Sequence, residues 1–148
     1  MNASSTFSYV GIMLLAGMAI PVMAAMSGGI GVRVGNPSFA TATVFGLAFL
    51  LTAVAAVATG LPRMAQISSV PPWLYLGGAC VAFYGLSITF VGPRFGLANA
   101  IFCVLVGQIA AAALIDHFGW FGTPQTSIDG KRLLGIAVMV LGLFLARK

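Results

Sequence analysis

The chain has 148 residues, of which 60% are hydrophobic and 6% charged, and its mean hydropathy is +1.08. That balance leaves a water-soluble domain nothing with which to cover its surface, so the sequence reads as an integral membrane protein sealed by lipid. The net charge of +5 comes from seven cations scattered singly or in pairs, which excludes a nucleic-acid patch and fits anchors at the ends of membrane spans.

Arg33, Arg63, Arg94, Asp116, Asp129, Lys131, Arg132, Arg147 and Lys148 divide the sequence into five hydrophobic blocks. A helix needs about 20 apolar residues to cross the hydrocarbon. The blocks therefore predict an all-α protein with five transmembrane helices, at 8–31, 38–61, 72–91, 96–115 and 131–146, forming one membrane domain over 1–148.

The first block contains Val22-Met23-Ala24-Ala25, which imitates a signal-peptide cleavage site, but no Lys or Arg precedes it, so it reads as a retained span. Pro21 removes a backbone hydrogen bond in mid-span and predicts a kink. Gly17, Pro21, Ala24 and Gly28 fall on one helical stripe and form a close-packing seam. Gly35-Asn36-Pro37 ends this block, Leu61-Pro62 ends the second, and Pro71-Pro72 opens the third.

On the third span Gly77, Cys80, Tyr84 and Ser87 share a stripe, so two hydroxyls face one way beside a gap left by glycine. That pair either lines a solute pathway or bonds a neighbouring helix. Gly92-Pro93-Arg94 predicts a very tight third turn. Cys80 and Cys103 lie inside predicted spans and read as small apolar packers, with neither a disulfide nor a metal implied.

The fourth span carries a small-residue stripe of Gly96, Ala100, Cys103, Gly107 and Ala110. Asn99 and Gln108 are nine residues apart, about half a turn around the helix, so at most one of them faces a cavity. Gln108, deeper and beside Gly107, is the candidate functional amide, the alternative being a structural bond between helices; Asn99 reads as an end-of-helix anchor. Asp116 is the one acid that approaches the membrane interior, and with His117 it forms either a proton relay or an anchor for the loop that follows.

That loop, 116–130, places Trp120 at headgroup depth, and Ser127 and Asp129 cap the last helix. The fifth span has 14 uncharged residues, about 21 Å of helix, which Lys131, Arg132, Arg147 and Lys148 extend by snorkelling. Gly135 and Gly142 share a face and suit packing against a copy of the same helix. Counted by side, Arg63, Lys131 and Arg132 oppose Arg33, Arg94, Arg147 and Lys148, and three against four is too even to set one orientation. The tie predicts an antiparallel homodimer, the alternative being one orientation set by folding or by a partner.

One His, no Glu, no HExxH, no Gly-x-Ser-x-Gly and no phosphate loop leave catalysis little to work with, so neither an enzyme, a cofactor nor a metal is expected.

Gly77-Gly78, Gly92-Pro93-Arg94-Phe95-Gly96, Gly107-Gln108, Ile115-Asp116-His117-Phe118-Gly119, and Arg132 with Gly135 and Gly142 together resemble the five-helix YdcZ-like family of the drug/metabolite transporter superfamily. The last helix more distantly resembles the small multidrug resistance transporters. The resemblance implies a half-transporter bundle in a bacterial-type cytoplasmic (inner) membrane. Larger relatives hold two inverted five-helix halves, so a lone half pairs with an inverted copy of itself or a homologous half, with solute at the midplane. Two departures stand out. The small multidrug resistance transporters couple protons through a Glu in their first helix, and this chain has no Glu and no charged residue around Pro21. In the YdcZ-like family a Gln and an Asn often stand where this chain has Met23 and Ser27, so the implied polar site is partly apolar here.

The leading expectation is a secondary transporter of a small, neutral or aromatic solute, held by Gln108, Tyr84, Ser87 and Ser27 between walls of Met23 and Met26. A passive ion channel and a non-transporting membrane scaffold or subunit are the competing classes. Gly107, Gly135 and Gly142 are the candidate packing and dimer positions.

Overall fold

A computed structural model describes residues 3–146 as a series of helices: α1 (Ala3–Val34), α2 (Pro37–Thr59), the short α3 (Met64–Ser68), a 3-10 turn (Pro72–Leu76) leading into α4 (Gly77–Phe95), α5 (Leu97–Phe118), a second 3-10 turn (Trp120–Gly122) and α6 (Gly130–Ala146). Arg147, Lys148 and the side chain of Arg132, three of the cations expected to snorkel, lie outside the described residues. Among the described residues there is no strand. Four helical stretches are long and apolar enough to cross a membrane: Thr6–Val34, Pro37–Thr59, Pro72–Phe95 and Leu97–Phe118. Leu133–Leu145 in α6 is a shorter apolar helix.

Local chemistry explains where these helices stop. Gly35 takes φ 73°, a left-handed turn that costs glycine least, and Asn36 then caps α2 by accepting the Phe39 backbone N–H on Oδ1 at 3.0 Å. Pro37 occupies the first helical position, where its missing N–H goes unmissed. Gly60, at φ 92°, closes α2 with its N–H on the Val57 carbonyl. Pro21 sits inside α1, which continues through it as one helix.

The third turn differs from the sequence expectation. Gly92, Pro93 and Arg94 remain helical, and α4 runs on to Phe95. The proline ring already holds a helical φ, and the helix continues through it at the loss of the one intrahelical bond its missing N–H would have made. The helix break falls instead on the single residue Gly96, at φ 90°, whose N–H reaches the Gly92 carbonyl at 3.1 Å. The end of the fourth span is displaced similarly: α5 extends to Phe118, three residues past the expected 115, because nothing before Gly119 breaks it, whereas α6 ends at the expected 146.

The chain divides into two compact units, 1–97 and 98–148. In the first, α1, α2 and α4 pack against one another pairwise. The core is built from small side chains, with Ala24, Gly28, Gly31, Ala40, Gly85 and Gly92 all buried. At Gly85 a Cβ would run into the Phe45 ring and lie 3.0 Å from Thr41 Cγ2, so the helices approach there at a distance only glycine permits. Large apolar side chains face outward, among them Leu15, Phe49, Leu50, Val54 and Phe83, the arrangement of a bundle whose solvent is hydrocarbon.

In the second unit the segment after α5 folds back on the helix end. Gly119 takes φ 62°, and the following residues return three hydrogen bonds to Asp116 and His117. Phe118 stacks on Trp120 with ring centroids 5.1 Å apart. Phe102, Cys103 and Val106 of α5 line a shallow groove with Val140, Leu143 and Phe144 of α6.

Candidate functional site

The centre of the three-helix unit is polar. Ser27 of α1, Thr41 of α2 and Thr89 of α4 are all buried, and their hydroxyls form a chain: Ser27 Oγ lies 2.7 Å from Thr89 Oγ1, and Thr41 Oγ1 lies 3.1 Å from Thr89 Oγ1. Thr41 also donates toward the carbonyls of Pro37 at 3.0 Å and Gly85 at 3.3 Å. Three hydroxyl protons can therefore all be satisfied, by one another and by carbonyls at the end of the chain. The triad clamps three helices and leaves no hydroxyl proton free for a ligand.

Tyr84 differs. Its hydroxyl is buried on α4 and has no hydrogen-bond partner among the described residues. An orphaned polar group costs about 1–3 kcal/mol, and hydrocarbon offers it no water. Ser87, one turn further along the same helix, is half-buried and lines a groove with Pro37, Ser38, Phe83, Leu86 and Phe90.

The remaining sequence-selected residues are scattered. Met23 is half-buried on α1 and Met26 is exposed. Gln108 is exposed on α5, in the second unit. Gly107, Gly135 and Gly142 face open space, with nothing within 4 Å of a Cβ built on any of them. Asp116 and His117 are half-buried at the end of α5. There the His117 ring accepts the Ile128 backbone N–H on Nδ1 at 3.2 Å, while its own carbonyl accepts from Gln125 Nε2 at 3.0 Å and the Asp116 carbonyl accepts from Thr126 N–H at 2.8 Å. An imidazole accepting on Nδ1 carries its proton on Nε2, so only Nε2 is left to exchange a proton.

Sequence reading singled out Ser27 but missed Thr41 and Thr89. The signal was present in α4, where Gly85, Ile88, Thr89 and Gly92 repeat at helical spacing and form the buried stripe. The stripe chosen instead begins with Gly77 and Cys80, which are exposed. Among the described residues no three His, Cys, Asp or Glu side chains gather into a metal site, and Cys80 and Cys103 are both free thiols.

Apolar helices of spanning length, a small-residue core and outward-facing large side chains define a multi-pass α-helical membrane protein. Residues 8–145 match the family model described as "Putative inner membrane exporter, YdcZ", and the chain belongs to that family. It is a multi-pass protein of the inner membrane, and its family is described as one of exporters, which is not an enzyme class. No curated protein and no solved structure matches the chain.

Proposed function

We propose that the chain exports a small, neutral or aromatic solute across the inner membrane, with Tyr84 as a solute contact. The observation that carries this reading is the buried, unpartnered Tyr84 hydroxyl, a polar group held in a spanning helix at a cost that a bound solute offsets. Ser87 on the adjoining turn supplies a second hydroxyl, Met23 an adaptable wall, and Gln108 an amide that is exposed in the single chain.

The transporting species is an antiparallel pair of five-span chains, either two copies or a copy and a homologous half. The even division of cations supports it, as do the open faces at Gly107, Gly135 and Gly142, where another backbone can approach. Asp116 and His117 stand as the proton-relay pair, working through Nε2.

Replacing Tyr84 by Phe removes one oxygen and tests the assignment. In cells producing the protein, efflux of a panel of neutral and aromatic fluorescent probes should fall about tenfold for the probes it exports, the worth of one good hydrogen bond. Thermal stability in detergent should hold or rise, because an unsatisfied hydroxyl has gone. Unchanged efflux with every exported probe rejects Tyr84 as a contact, and absence of efflux from wild type itself favours a scaffold or subunit.

A further inference from the structure

Residues 1–97 contain no Asp or Glu, yet they hold Arg33 and Arg94, each the second-to-last residue of a spanning helix. Both sit at the same end of the three-helix unit, because the two hollows they line share Val32 and Pro93 as a common ridge. Each guanidinium spends one N–H on its own helix: Arg33 Nη1 donates to the Gly29 carbonyl at 3.2 Å, and Arg94 Nη1 to the Phe90 carbonyl at 2.6 Å. Arg94 also lies over the Phe90 ring, 3.9 Å from its centroid. Those contacts answer the negative end of each helix dipole. They leave most of the five donors of each fork facing outward, with no carboxylate in the unit to receive them.

Below Arg33 runs a groove of about 480 Å³, lined along α1 by Ala24, Ala25, Gly28, Gly29 and Val32 and closed on the other side by Gly92, Pro93 and Leu97. From Ala24 to Arg33 it follows α1 for about 14 Å, the direction of a lipid tail rather than of the membrane plane. Its floor is shallow because Gly28 lies against Pro93, where a Cβ would come within 3.2 Å of the ring. Along its length the lining is apolar and only its end is cationic. That is the pattern of an amphiphile with a negative head.

We propose that this groove seats an acidic phospholipid, one acyl chain along Ala24–Val32 and the phosphodiester between Arg33 and Arg94. Charge complementarity selects the occupant: an end that carries two outward guanidiniums, in a unit without an acid, takes its counter-charge from the leaflet, and a bidentate fork matches a phosphate oxygen pair. The site is independent of Tyr84 and of any exported solute.

Native mass spectrometry of the full-length protein, titrated with phosphatidylglycerol or with phosphatidylcholine, tests it. Wild type should prefer phosphatidylglycerol by about twenty-five-fold, two cations each contributing about fivefold. The R33Q/R94Q variant should lose that preference, R33K/R94K should keep part of it, and R63Q, outside the groove, should keep all of it. A25W, which fills the groove, should lower retention of both lipids. Circular dichroism and monodispersity select the folded variants for comparison. A preference that survives in R33Q/R94Q, falls equally in R63Q, or is carried by a dimer but never by a monomer overturns the proposal, as does unchanged retention in A25W.

Discussion

At Gly85 the bundle depends on a single hydrogen atom. The Phe45 ring and Thr41 methyl occupy the space a methyl group would need, and the Gly85 carbonyl also receives the Thr41 hydroxyl. Gly85→Ala should destabilise the folded chain by about 1–3 kcal/mol, seen as a lower unfolding temperature in detergent, because either the ring or the helix must shift. Phe45→Leu in the same background should restore part of the loss, and a G85A protein as stable as wild type would show that the helices are not in contact there. The importance of this glycine was not readable from the sequence. Gly77, Gly78, Gly85 and Gly92 all lie on one helix, and in lipid the facing and outward sides are equally apolar. Without a polar side to orient the helix, the stripe beginning at Gly77 and the stripe beginning at Gly85 look alike. Thr41 and Thr89 escaped notice for the same reason, since each is a lone hydroxyl until the fold brings them together.

At the scale of elements, breaks were far more legible than faces. Gly35, Asn36 and Pro37 announce the first connection through backbone chemistry that holds in any solvent, and each performs a distinct part of the turn. Gly92-Pro93-Arg94 misled because a proline in the last turn of a helix and a proline in a turn look the same in sequence. The helix ends where a positive φ breaks it, and Gly96 was the residue free to supply that angle. The loop after α5 is held by His117, whose ring receives the Ile128 N–H and whose carbonyl receives Gln125. His117→Ala should therefore raise amide exchange at Ile128 about tenfold, the worth of one hydrogen bond, while amides within α5 keep their protection. Exchange that is unchanged at Ile128 would mean the ring does not anchor the loop.

For the whole molecule, composition alone made the membrane class plain, and four stretches of spanning length lie over the first four expected spans. The fifth, Leu133–Leu145, is short enough that its passage depends on the cations at its ends. Reporters fused after Lys148 address span number and pairing together. An antiparallel homodimer predicts activity of both a cytoplasmic and an external reporter in one population of cells. Signal on one side only would establish a fixed orientation and direct attention to a separately encoded inverted partner. Assembly was beyond the reach of the sequence because a small residue such as Gly135 or Gly142 reads the same whether lipid or another helix lies against it.

Outward-facing large side chains also govern how this protein responds to temperature. In a soluble domain, loss of packing brings leucine and phenylalanine into contact with water, and the resulting heat-capacity increment curves the stability profile into a dome. Here Leu15, Phe49, Leu50, Val54 and Phe83 meet hydrocarbon while the helices are packed, and meet it still when they separate within the bilayer. Helix separation thus carries a small heat-capacity change, and the stability of the bundle varies almost linearly with temperature. Chilling, which weakens a water-driven core, leaves this one held by contact and hydrogen bonds alone.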